Sequence, residues 1–261
     1  MIFSSSIVHL IMGKECKISP RTDLSGTEIK NTLILTRDQL IIPGEQIPQK
    51  VLDVIAKAEE AGFGGMFEAL HLSGITLSQE LQVEGWTKKP NSWYWKQLAE
   101  GTIGKDAAKL PDSWVLIDRT RRPVYYNGKQ LYRSDPLGSF LKELRQGRKI
   151  ERAKNVPDTS RFEILDDALV SVVLPALAEI LDEESSAVRL LSVAEFNIIG
   201  NLEHPEWGAV NTSEFFKDLL GECPLFGGNS ELGGLTNVGY LWPDLHPNNV
   251  AFRPLVVVPT N

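Results

Sequence analysis

Residues 226–258 read FGGNSELGGLTNVGYLWPDLHPNNVAFRPLVVV. Glycines at 227, 228, 233, 234 and 239 and asparagines at 229, 237, 248 and 249 are interleaved with Leu232, Tyr240, Leu241, Leu245 and His246. The apolar positions follow neither the helical nor the alternating period, so most of the stretch reads as loop. It then closes on residues 250–258, rich in β-branched side chains and broken by the single charge of Arg253, which predicts a buried central strand. A loop this long in a compact domain is either functional or wrongly assigned. The rest of the chain decides which.

The chain has 261 residues, 42 % hydrophobic and 23 % charged, with a net charge of −7. That is enough for one large domain or two small ones with a true core. The acidic balance argues against a nucleic-acid partner. From residue 221 onward the only basic side chain is Arg253, against Glu222, Glu231 and Asp244. Cys16 and Cys223 lie in no CxxC pair and read as free thiols rather than as zinc ligands or a disulfide framework. The scattered His71, His204 and His246 do not make a metal triad, so no metal and no cofactor is expected. Nothing approaches the roughly 20 apolar residues of a membrane helix, and the N-terminus makes a poor signal peptide.

Upstream, residues 33–35 and 40–42 read as short extended runs closed by Pro43-Gly44. Val51, Leu52, Ile55 and Ala58 mark a surface helix, with Gly62 suited to its C′ position. Trp86, Trp93, Tyr94 and Trp95 read first as anchors of a short helix and second as a binding platform. Residues 114–117 form a strand, followed by a turn at residues 125–128. Arg119, Arg121 and Arg122 read as a solvated or locally paired face. A helix capped by Ser134 carries Leu137, Phe140, Leu141 and Leu144 on one stripe. A second helix breaks at Leu174, before Pro175. A third starts at Ser192, with Glu195 completing a capping box. Trp207 anchors the loop after it, and Phe215-Phe216 reads as a short aromatic turn.

The segments VRLLSVAEFNIIGN, VNTSEFFKDLL, LFGGNS and VAFRPLVV, in this order, resemble the helix, aromatic segment, Gly-Gly loop and closing strand of the formylglycine-generating-enzyme branch of the C-type lectin fold. The resemblance covers residues 108–261. It implies an α+β fold of mixed small sheets with two or more flanking helices, and leaves residues 1–107 as an N-terminal extension or small accessory domain. Within the branch, residues 226–258 look most like the variable region of diversity-generating retroelement proteins, whose framework stays fixed while adenines between are rewritten.

On that resemblance the framework is Gly227, Gly228, Ser230, Gly233, Gly234, Leu235, Val238, Trp242, Asp244, Val250, Phe252, Arg253 and Pro254. Trp242 and Phe252 are expected to be buried beneath the loop. The diversified, ligand-binding positions are then Asn229, Leu232, Thr236, Asn237, Gly239, Tyr240, Leu241, Leu245, His246, Pro247, Asn248 and Asn249. Rewriting the adenines of AAC or AAT codons reaches every residue type in that set, but not Glu, which sets Glu231 apart. The expected function is a non-enzymatic display protein that binds a protein or surface ligand; virion, cell surface and cytosol all stay open as its location. Two alternatives remain at this level. One is a structural or assembly protein of a viral tail or shell. The other is a formylglycine-generating-type oxidase, which the absence of a nearby cysteine pair disfavours.

Overall fold

The computed structural model describes residues 34–259 apart from 45, 128–131, 133 and 243–246. Along the chain run β1 (Ile34–Leu35), α1 (Gln49–Glu60), β2 (Phe67–Ser73), β3 (Gln82–Val83), α2 (Ser92–Glu100), β4 (Asp112–Asp118), α3 (Gly138–Gln146), α4 (Leu174–Leu181), β5 (Val188–Leu190), α5 (Val193–Leu202), β6 (Ser213–Leu220), β7 (Cys223–Gly227), β8 (Val238–Tyr240), β9 (Val250–Ala251) and β10 (Pro254–Val258). The fold is mixed α+β with small sheets. Of the two four-stranded sheets, one has the order β2-β4-β10-β5 and the other β8-β7-β6-β9.

The first sheet is antiparallel throughout, with β10 between β4 and β5. Alternation along a strand sends Trp114 and Leu116 of β4 and Val256 and Val258 of β10 to one side. There they meet Val51 and Val54 of α1, Leu141 of α3 and Leu177 of α4. Val115, Ile117 and Leu255 point to the other side and meet Tyr94, Phe196, Ile199 and Phe216. Both faces are covered, which is why residues 114–117 and 255–258 read as unbroken apolar runs.

Residues 250–258 do not form one strand. Val250–Ala251 is an edge of the second sheet, parallel to β6, whereas Pro254–Val258 is central in the first. The break falls at Phe252-Arg253, because the Arg253 guanidinium turns inward onto Glu214 and onto backbone carbonyls of the β4 exit. Phe215-Phe216 is likewise not a turn but the middle of β6, with both rings buried. The expected boundary at 107/108 is absent. Leu35–Asn261 is one compact unit, and β2 pairs with β4 from Phe67↔Asp118 to Ser73↔Asp112.

Residues 40–42 run as an extended edge along β2 and not as a full strand, with the Ile42 amide donating to the His71 carbonyl at 2.9 Å. Leu40 closes a 3-10 turn at Arg37–Gln39, and Ile41 makes only an isolated bridge to Leu72. Ser134 does not cap α3, since it sits at φ +54° and the helix begins only at Gly138. Asp135 does that local work, its carboxylate accepting from the Leu137 amide at 3.0 Å. Other signals match the structure. A π-turn at Leu169–Val173 precedes α4, and the Leu174 amide reaches back to the Leu169 carbonyl. Pro175 has no amide to continue an ordinary helical ladder, which places the irregularity just upstream. Ser192 and Glu195 form the capping box of α5.

Candidate functional site

The 226–242 stretch is fixed from below before it presents anything outward. A Cβ on Gly227 would lie 2.0 Å from the Asn237 carbonyl oxygen, so only glycine fits between β7 and the return strand. Gly234 adopts φ +61°, and a side chain there would meet the Gly208 carbonyl at 2.5 Å. Leu235, Val238, Val250 and Phe252 are buried.

Beneath them lies a charged cluster closed to solvent. Arg253 grips Glu214 with two nitrogens at 3.1 and 2.7 Å, and its guanidinium lies 4.2 Å from the Trp207 ring centroid. Arg122 lies 3.4 Å from the same carboxylate and donates to the Trp207 and Gly228 carbonyls at 2.6 and 2.8 Å. Burial pushes the Glu214 carboxyl up, but Arg253 and Arg122 outweigh it and hold the group below its usual range. Arg161 pairs with Asp118 and Asp135 alongside. Arg122 is therefore not part of a solvated basic face. It ties the Gly-Gly loop to the turn that bears Trp207.

Above this base, β8 is the edge of its sheet, with Tyr240 opposite Leu225 of β7. Val238 and Tyr240 share one face of the strand: Val238 is buried, and Tyr240 emerges 40 % exposed. Helix α2 is fastened against this edge by Asn91. Its side-chain oxygen accepts from the Tyr94 amide at 3.0 Å as the N-cap, and its Nδ2 donates to the Val238 carbonyl at 2.8 Å. The Asn91 amide reaches the Thr236 carbonyl at 2.9 Å.

Trp93 is thereby stacked on Tyr240, with ring centroids 5.9 Å apart at 20°. Trp242 meets Tyr240 edge-on, with centroids 6.0 Å apart at 76°. Three aromatic rings form one continuous array at the rim of the second sheet, and between Gly227 and Trp242 the only charged side chain is Glu231.

Trp242 is 63 % exposed, so its expected place beneath the loop is wrong. The alternation of β8 ends at Tyr240, and it is the half-buried Leu241 that packs toward the first core. Phe252, in contrast, is fully buried as expected. Two proposed ligand-binding positions are also corrected. Asn229 and Asn237 are buried and hold the loop together. Asn229 accepts from the Glu231 amide at 2.9 Å and donates to the Asn211 carbonyl at 2.9 Å, and Asn237 accepts from the Asn229 amide. Leu232 stands 61 % exposed. Thr236, Gly239, Pro247, Asn248 and Asn249 are half-buried. Asp244, Leu245 and His246, and with them part of the expected binding face, lie outside the described residues.

Sequence reasoning ranked a binding platform at Trp93 second and did not place it among the ligand-binding positions. Within one aromatic run, Trp86 and Tyr94 are buried anchors, as expected, while Trp93 faces the loop. The Asn91 N-cap two residues before it was the available signal. Among the described residues no group of three or more His, Cys, Asp or Glu is arranged to hold a metal ion, and no helix is long and apolar enough to cross a membrane. Cys223 is a free, half-buried thiol, and Cys16 lies outside the described residues. Compared with known proteins, the chain matches no family model, no curated protein and no solved structure.

Proposed function

We propose that the chain is a non-enzymatic ligand-binding display protein on a C-type lectin-like scaffold, with residues 226–258 as the variable region of a diversity-generating retroelement. The observation that carries this reading is the Trp93–Tyr240–Trp242 array, raised at a sheet edge on a backbone locked from beneath. Aromatic side chains supply most of the energy at binding surfaces because they bury large area with few rotatable bonds. An array of this kind open to solvent is unfavourable without a partner. The ligand is a protein or another surface molecule that offers an apolar patch.

The division between fixed and changeable positions supports the same reading, in a revised form. Gly227, Gly228, Gly234, Leu235, Val238, Val250, Phe252 and Arg253 are buried, and Asn229 and Asn237 join them. Leu232 and Tyr240 remain as open positions that folding leaves free, and Trp242 becomes a framework anchor at one end of the array rather than a core residue. The terminal strand β10, wedged between β4 and β5, suits a lectin-like scaffold that anchors a variable loop.

The coding DNA tests the reading. The expected finding is a near-identical second copy of the 226–258 coding stretch, differing from it at adenines only, beside a reverse-transcriptase gene. Flanking DNA with neither would leave a plain structural or assembly protein as the better account.

A further inference from the structure

Among the described residues four arginines are buried: Arg122, Arg145, Arg161 and Arg253. Three of them face carboxylates, Arg122 and Arg253 sharing Glu214 and Arg161 holding Asp118 and Asp135. Arg145 has no carboxylate within ion-pair distance among the described residues. Its Nη1 donates to the Asp158 and Ser160 carbonyls at 2.6 and 2.7 Å, and its Nη2 to the Phe162 carbonyl at 2.9 Å. Its Nε–H is buried and has no hydrogen-bond partner among the described residues. Asp158 and Glu163 are near enough to favour its charge, yet burial outweighs them and no carboxylate touches it; a guanidinium withdrawn from water without a direct ion pair is an unfavourable thing to build into a fold.

Arg145 forms part of the wall of an open cleft of about 740 Å³ between the end of α3 and the segment leading into α4. Arg148, Lys149 and Arg152 line the same cleft, exposed, and none of them makes an ion pair with a carboxylate among the described residues. Glu151 and Asp167 are the acidic lining residues, so four cations stand against two carboxylates in a chain whose net charge is −7. Leu165 and Val172 give the cleft an apolar side. Small-molecule sites have volumes of about 300–1,000 Å³, and a few charged groups on an otherwise apolar wall fix the ligand's orientation. The three carbonyl contacts of Arg145 explain how the 158–162 loop is held. They explain neither the unpartnered Nε–H nor the cations gathered around it.

We propose that this cleft binds a small organic phosphate, with the phosphate against Arg145, Lys149 and Arg152 and the organic part against Leu165 and Val172. The site shares no residue with the aromatic face.

The test is calorimetric titration of the full chain with phenyl phosphate at constant ionic strength. It is repeated on a Lys149→Glu/Arg152→Glu variant, whose replaced side chains are exposed, and on a Tyr240→Ser/Trp242→Ser variant. The expected result is saturable binding by the parent, equal binding by the aromatic-face variant, and binding at least about tenfold weaker when the two charges are reversed. Equal melting of ligand-free parent and charge-reversed chain shows that the fold is intact, and Lys149→Arg/Arg152→Lys restoring the parent affinity serves as a second check. Absence of saturable binding by the parent, or equal affinity in the charge-reversed variant, overturns the proposal.

Discussion

Phe252 and Trp242 separate two jobs that a large aromatic ring can do. Phe252 is fully buried among the strands, and Phe252→Ala is expected to cost about 3–5 kcal/mol by chemical denaturation, as for other emptied aromatic sites. Trp242 is mostly exposed, and Trp242→Ala is expected to change stability by less than about 1 kcal/mol. Equal losses for the two would put Trp242 back under the loop. Asp218 offers a second test at this scale. Its carboxylate accepts from the Val193 amide at 2.6 Å at the start of α5, and burial pushes its pKa up to about 6. A carboxyl raised in the folded state holds a proton that the unfolded chain has already released. Between the unfolded value near 3.8 and the folded value near 6 the native state therefore binds more protons, and stability falls as pH rises through that window. Asp218→Asn is expected to melt higher than the parent at pH 7.5, by about 1–3 kcal/mol in stability, with the advantage fading below about pH 4. A difference independent of pH would mean that the carboxyl titrates normally.

At the scale of elements, the β7–β8 hairpin and its 3-10 turns set which loop positions are free. Asn229 caps the turn at Ser230–Leu232 through the Glu231 amide, and Leu232 within that turn points outward. Asn229→Ala is expected to cost about 1–2 kcal/mol, the usual loss for a capping side chain, and Leu232→Asn to stay within about 0.5 kcal/mol. Thermal or urea melts of the two variants side by side give the answer. The sequence did show the turn-forming glycines and the loop as a whole. It could not show that two of its asparagines bond inward, because Asn caps buried turns and decorates open loops equally well. Nor did it show that residues 250–258 divide between two sheets. A run of β-branched residues reports burial on both faces, and burial is the same whichever sheet supplies it.

The whole molecule is where residues 34–107 find their role. Because β2 covers the outer edge of β4 and α2 carries Trp93 to Tyr240, a chain cut to residues 108–261 loses both a sheet edge and part of the aromatic face. Such a chain is expected to lack a cooperative melt by circular dichroism, and a sharp transition like that of the full chain would restore the boundary that the structure removes. The lost pairing leaves a long apolar edge strand unpaired, a known route to aggregation. What the sequence determined by itself is local: the Ser192–Glu195 capping box, the break before Pro175, the glycine positions of the loop and the apolar runs of β4 and β10. Each rests on neighbours a few residues apart, where backbone geometry and side-chain chemistry act directly. The tertiary structure alone decided the partnerships. Glu214 is claimed by Arg122 and Arg253 from two distant segments, and Trp93 meets Tyr240 only because Asn91 fastens α2 to a strand far along the chain. A charge or a ring in a sequence announces that it needs a partner, but the identity of that partner is fixed only when chain folding closes the distance between them.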